Sequence, residues 1–156
     1  MPASGYSSHS QLTRTEVAHI VEQRVQQNHL TDQGDILWLA TELKASGEMV
    51  GSVHLAWLSQ EHAQGEVGYR LHPDHWGQGY ASEAVRTMLA YGFRDLDLHR
   101  IIGTCDDHNE PSRRLLERIG MRQEAHFREI EWIKGEWRSQ LVYAILRGEW
   151  ESSVNP

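Results

Sequence analysis

The sequence predicts an α/β (α+β) fold, a mixed and mostly antiparallel central sheet flanked by helices, and three observations carry that expectation. Three strand-like stretches stand in a row before residue 72, the first two joined by a glycine-containing bend at Ser46-Gly47. A turn holding Gly77 and Gly79 then runs from the third strand directly into a helical pattern. Strand, helix and two further strands follow, the last two hinged at Lys134-Gly135. Meander, crossover and closing hairpin together imply a mixed sheet with helices packed on it.

Residues 1–10 are small and polar and are expected to be loosely attached, leaving a single domain over 11–150 and a C-terminal tail over 151–156. From Arg14 to about Leu30, Val17, Ile20, Val21 and Val25 recur at helical spacing, with Thr13 or Thr15 as N-cap. Ile36 to Ala40 reads as a strand, and Met49 to Trp57 as its hairpin partner. Gly65 to Leu71 alternates in polarity as a half-buried strand does. After the glycine turn, Ala81, Ala84, Val85, Met88, Leu89 and Phe93 line one helical face. His99 to Cys105 is the next strand. Asn109 stands where a helix cap belongs, Pro111 lies in the first turn, and Gly120 follows the last apolar position. Met121 to Trp132 reads as a long strand, Lys134-Gly135-Glu136 as a turn, and a returning strand through Leu146 completes the sheet.

Composition narrows the function classes. A chain of 156 residues can bury a full core without staples. Its formal charge of −7 argues against a general nucleic-acid binder, which would present a basic face. No apolar run reaches membrane-spanning length, and the N-terminus lacks the regions of a signal peptide. The single cysteine, Cys105, excludes an internal disulfide framework and fits a reducing, cytoplasmic setting. Within a strand pattern it reads as a small buried residue rather than a nucleophile. His72-x-x-His75 is a poor zinc motif without a third ligand at a recognisable spacing, so no metal is expected.

The glycine turn is the chemical centre. Gly77 and Gly79 permit positive φ and close backbone approach. The helix behind them aims its free N–H groups, and the positive end of its dipole, at whatever occupies the turn. That makes an anion site suited to a phosphate or pyrophosphate. A bare turn-and-cap has the same pattern. The dinucleotide fingerprint, with three glycines at fixed spacing, is not matched. Nor is the P-loop, for no Gly-Lys-Ser or Gly-Lys-Thr follows.

Several stretches, in this order and spacing, resemble the GNAT acetyltransferase superfamily, and within it the RimJ/RimL-like ribosomal-protein N-acetyltransferase branch. They are Gly68-Tyr69, then Trp76-Gly77-Gln78-Gly79-Tyr80-Ala81-Ser82-Glu83-Ala84, then Asn109-x-x-Ser112, Leu116 to Met121, Lys134 to Trp137 and Tyr143 to Leu146. The resemblance spans roughly Val50 to Trp150, about two-thirds of the chain. It implies acetyl-coenzyme A (acetyl-CoA) as donor and a primary amine as acceptor, either a protein N-terminus or a small molecule. It implies that the backbone of Gly77, Gln78, Gly79, Tyr80, Ala81 and Ser82 holds the pyrophosphate. The pantetheine arm would pair with the strand Tyr69 to His72, Leu71 included, like an added strand. Asn109 and Ser112 would lie on the coenzyme side. The family's side-chain donor ahead of the central glycine is replaced here by Trp76. The usual first strand and helix are largely missing, which leaves part of the acceptor pocket open or supplied by a partner.

A thioester is already activated, so the remaining tasks are positioning, removing an ammonium proton and protonating the departing thiolate. By position in the branch, Glu131 resembles the proposed base and Ser112 the proposed acid; Glu66, on the strand flanking the cleft, competes with Glu131. Exposed strand carboxylates and a helix-start hydroxyl would look the same. The rival reading is a catalytically silent CoA-binding module acting as a sensor or subunit. A homodimer through the last strands is an arrangement the branch allows.

Overall fold

The computed structural model describes residues 13–26 and 28–154, so the expectation for residues 1–10 lies outside the described part. Its elements run α1 (Arg14–Gln26), β1 (Ile36–Glu42), β2 (Met49–Ser59), β3 (Gln64–Leu71), α2 (Tyr80–Arg94), β4 (Arg100–Asp106), α3 (Glu110–Arg118), β5 (Arg122–Ile133), β6 (Glu136–Leu146) and α4 (Arg147–Val154). One six-stranded sheet has the order β1-β2-β3-β4-β6-β5. Only the β3–β4 pair is parallel, as a helical crossover requires.

One face of the sheet carries the core. Leu55, Val67, Ile101, Tyr143 and Ile145 are essentially sealed from solvent there, and α2 covers them with Val85, Met88, Leu89 and Phe93. Glycines set how closely the helices approach. A Cβ at Gly92 of α2 would lie 2.7 Å from the Ile101 side chain, and one at Gly103 of β4 would lie 2.9 Å from Leu116 of α3. α3 begins at Asn109, whose Oδ1 accepts the Ser112 N–H at 3.2 Å, and ends before Gly120 at φ +95°.

Two differences from the sequence reading concern the chain ends. α1 stops at Gln26 rather than near Leu30, and Val17, Val21 and Val25 stay exposed, so the valine stripe does not face the sheet. Arg24 of α1 lies over β1, its guanidinium 3.8 Å from the Trp38 ring centroid. α4 was not anticipated: helix continues to Val154, and Trp150 packs on Phe93 with ring centroids 5.3 Å apart. Residues 151–154 of the expected tail are therefore helical, though exposed, and the helix is held to the core by Trp150 just before them. The Trp150 anchor, a lone aromatic in a polar stretch, gives a periodicity argument nothing to count.

Candidate active site

The sheet opens where β3 and β4 part. Their pairing covers only Gln64, Gly65 and Glu66 against Arg100, Ile101 and Ile102. Beyond Glu66, β3 continues to Leu71 bonded to β2 alone, while β4 continues to Asp106 bonded to β6 alone. His72 N–H donates to the Val50 carbonyl at 2.8 Å on the β2 side. Alternation along an antiparallel ladder then turns the backbone polar groups of Tyr69 and Leu71 toward the opening. Tyr69 and Leu71 thus face the opening, the Leu71 carbonyl being taken by the Trp76 indole N–H; His72, expected with them, spends its N–H on β2.

At the top of the opening lies the glycine turn. Pro73–His75 forms one turn of 3-10 helix, and the Trp76 indole N–H donates to the Leu71 carbonyl at 2.9 Å. The side chain standing in the family's donor position thus stitches the turn to the end of β3. Gly77 and Gly79 have φ +74° and +87°, and a Cβ at either would meet nothing within 4 Å. Both are needed for backbone conformation and open access rather than for packing. Gly79 is the N-cap of α2 and, among the described residues, no side chain caps that helix. The amides of the first turn, Tyr80 to Ser82, therefore face an accessible space with the helix dipole behind them. Beside them an open depression of about 630 Å³ is lined by Gln78, Gly79, Tyr80, Glu83, Arg86, Thr87 and Ala90. Amides without a side-chain cap, two left-handed glycines and a strand edge left open by β4 at Tyr69 fit a pyrophosphate followed by an amide-bearing arm.

On the core side of the opening, Tyr69 reaches across from β3 to α3, its hydroxyl 2.9 Å from Ser112 Oγ. Asn109 caps the helix, so the Ser112 hydroxyl is released from that duty and pairs with Tyr69. Burial pushes the Tyr69 phenol above its ordinary value of 10, opposed by the bond to Ser112. Cys105 is buried on the same face, and burial drives its thiol up to about 11. It stays protonated at neutral pH and is a poor nucleophile.

On the opposite face stands Glu66. Its Oε1 accepts the Thr104 hydroxyl at 3.1 Å across the opening, and burial raises its carboxyl above the ordinary 4.5, opposed by that bond. Next along the same face is His54, paired in register with Gly68 of β3 and with Trp38 of β1. The Trp38 and His54 ring centroids are 4.1 Å apart. Burial, with Arg24 adding to it, lowers the His54 imidazole to about 4, so the ring is neutral at physiological pH. His54, Thr104 and Trp38 were not singled out from sequence. A lone His in a strand has no local signature, and only cross-strand register brings it to this cleft.

Glu131 stands apart from this constellation. It lies opposite Arg138 on the exposed part of the β5–β6 hairpin, beyond an irregularity at Phe127–Glu131 that holds Glu129 at φ +50°. Two strands, β4 and β6, separate its strand from β3. Asp106, Asp107 and His108 bring ligand atoms within 4.8 Å of one another. Asp106 is paired with Arg138 at 3.2 Å and Asp107 with His126 at 3.3 Å.

A splayed mixed sheet, a glycine turn at its mouth and a half-buried carboxylate beside the split match the arrangement expected of an acyl-coenzyme-A-binding protein. Residues 3–122 match the family model described as an acetyltransferase (GNAT) domain. The chain belongs to the GNAT acetyltransferase family, whose members use acetyl-CoA as donor. It is 45% identical over 85 residues to the uncharacterized N-acetyltransferase YnaD of Bacillus subtilis (strain 168), covering 54% of this chain and 50% of that one. It is 30% identical over 117 residues to the putative ribosomal N-acetyltransferase YdaF of the same organism, covering 75% and 64%. The crystal structure of a GNAT-family acetyltransferase from Bacillus anthracis superposes with a TM-score of 0.76 at 32% identity, covering 88% of this chain and 76% of that one. The chain thus spans about half to two-thirds of the length of these two curated relatives.

Proposed function

We propose that this chain transfers an acetyl group from acetyl-CoA to a primary amine by direct attack in a ternary complex. The observation that carries the reading is the β3–β4 opening. It has a glycine turn suited to an anion at its mouth, a half-buried carboxylate on one face and a paired hydroxyl couple on the other. Acetyl-CoA, when bound, supplies an activated acyl group. The amides of Gly77 to Ser82 hold its pyrophosphate, and the open edge at Tyr69 and Leu71 aligns its arm. Glu66 takes the ammonium proton. Its raised pKa brings it nearer that of an α-ammonium, about 8, and so eases the transfer. Ser112, backed by the Tyr69 hydroxyl, faces the departing thiolate and can return a proton there. The protonated Cys105 thiol favours direct transfer over a covalent relay.

Of the two carboxylates expected from sequence, Glu66 has the better position and Glu131 the poorer. The acceptor is a protein N-terminus or a small amine such as a polyamine. The name of the YdaF relative supports the first and the RimJ/RimL-like branch with it. The setting is cytoplasmic, consistent with one unpaired thiol. The exposed Phe127, Ile130, Trp132 and Trp137 of the β5–β6 hairpin support a homodimer through the last strands.

The test is an acetylation assay against polyamines, amino acids, aminoglycosides and peptides with free N-termini, using wild type, Glu66→Gln and Glu131→Gln. Transfer to at least one amine, lowered about 10²-fold or more by Glu66→Gln and little by Glu131→Gln, is expected for loss of a general base. Tight acetyl-CoA binding with no transfer to any amine would instead identify a silent coenzyme-binding module. A large loss only in Glu131→Gln would move the base to the hairpin.

A further inference from the structure

Three residues form a transverse row across the face opposite the core: Trp38 on β1, His54 on β2 and Gly68 on β3. The row ends at the split, because β3 loses its β4 partner after Glu66. The imidazole lies over the β3 backbone. A Cβ at Gly68 would fall 2.2 Å from its Cε1, 2.6 Å from Nε2 and 3.0 Å from Nδ1. Any side chain at 68 would evict the ring, so the glycine here serves as a seat. The neighbouring row holds Ala56 and Glu66, which makes His54 and Glu66 diagonal neighbours on one face, about 7 Å apart at the backbone. No hydrogen bond occupies either nitrogen of His54 among the described residues, although the ring is fixed by Trp38 on one side and Gly68 below.

We propose that His54 is an acceptor-binding residue, its imidazole nitrogen taking a hydrogen bond from an N–H of the incoming primary amine beside Glu66. The proposal rests on reading the opening as the acetyl-transfer site. The proton count is simple. An ammonium group carries three N–H bonds; Glu66 accepts one proton, and one of the two N–H bonds left on the neutral amine points to His54. A ring held neutral suits this duty, because an imidazolium would repel the cationic acceptor on arrival. A primary amine keeps two N–H bonds after deprotonation and a secondary amine one, so either can offer the bond to His54, whereas a tertiary amine has none left once its proton is gone.

The experiment combines kinetics with spectroscopy. Acetyl transfer is measured for His54→Phe, which keeps a flat ring on Gly68 without a nitrogen, and for His54→Gln, which keeps an acceptor atom. In parallel, the 15N resonances of the His54 ring are followed in wild type as n-butylamine is added, and again in Gly79→Leu, which is designed not to bind the coenzyme. The expected result is a loss of at least ten-fold in kcat/KM for the amine in His54→Phe, a smaller loss in His54→Gln, and an acetyl-CoA Kd within two-fold of wild type. The ring resonance should move with butylamine in both proteins. Full activity of His54→Phe, or a ring resonance unmoved at saturating amine, overturns the proposal. An equal loss of acetyl-CoA affinity also overturns it, because the ring would then only prop β3. Should the histidine variants fail to fold, the wild-type titration decides alone. If wild type transfers to no amine while the ring still answers to butylamine, the transfer reading fails but the amine contact stands.

Discussion

At the scale of single residues, burial sets the pH behaviour of the cleft. A carboxyl whose pKa is raised on folding contributes stability below its unfolded value, near 4.5 for Glu66, and loses it as pH rises through the folded value. At neutral pH the ionised Glu66 therefore weighs against the fold. Glu66→Gln should raise Tm at pH 7 relative to wild type and lose that advantage by pH 4, even as it removes transfer; thermal melts at the two pH values check this. His54 has the opposite sign. Its pKa falls from 6.5 to about 4 on folding, so the stability it contributes is complete above 6.5 and is lost as pH drops toward 4. The loss amounts to roughly 3 kcal/mol. His54→Phe should flatten the wild-type decline in Tm between pH 6.5 and 4. The seat beneath the ring gives a coupled prediction. Gly68→Ala alone should cost about 1–3 kcal/mol through the clash with His54, and much less when combined with His54→Ala. Chemical denaturation of the four proteins measures that cycle.

At the scale of elements, the glycine turn and α2 carry the coenzyme claim. Gly79 is left-handed with open space around its Cα, so Gly79→Leu strains the cap by about 1–2 kcal/mol and sets a side chain in front of the free amides. Acetyl-CoA affinity should fall at least ten-fold while circular dichroism stays that of a folded protein. The turn was legible in the sequence because glycine spacing and a helical stripe are local signals, and so were the strands from β1 to β4. What could not be read is whatever depends on register. That β3 and β4 part after Glu66, that Thr104 reaches back to Glu66, and that His54 sits on Gly68 are facts about pairing between distant stretches. The α1 stripe misled for a related reason: Val17, Val21 and Val25 have helical spacing, but spacing does not say what a face meets, and here the sheet meets Arg24 instead. Glu131 matches a position in the family pattern, and the irregular β5–β6 pairing sets it on an exposed hairpin.

At the scale of the whole molecule, the sheet is covered unevenly. One face is closed by α2, α3 and α4, while among the described residues the other carries α1 only at its β1 end. The half-covered face holds Glu66, His54 and Thr104, the face from which the proposed acceptor would approach. Trp132 and Trp137 lie exposed with ring centroids 5.3 Å apart and extend an apolar strip along the last hairpin. If two chains pair there, replacing both tryptophans by serine should convert a dimer to a monomer in sedimentation without changing acetyl-CoA affinity. The central claim is that the split sheet and its glycine turn bind acetyl-CoA, and calorimetric titration with acetyl-CoA, coenzyme A and ATP tests it most directly. Micromolar binding of acetyl-CoA, weaker binding of ATP and loss of the acetyl-CoA signal in Gly79→Leu are the predicted results. Absence of acetyl-CoA binding to wild type, or binding unaffected by Gly79→Leu, would contradict the account.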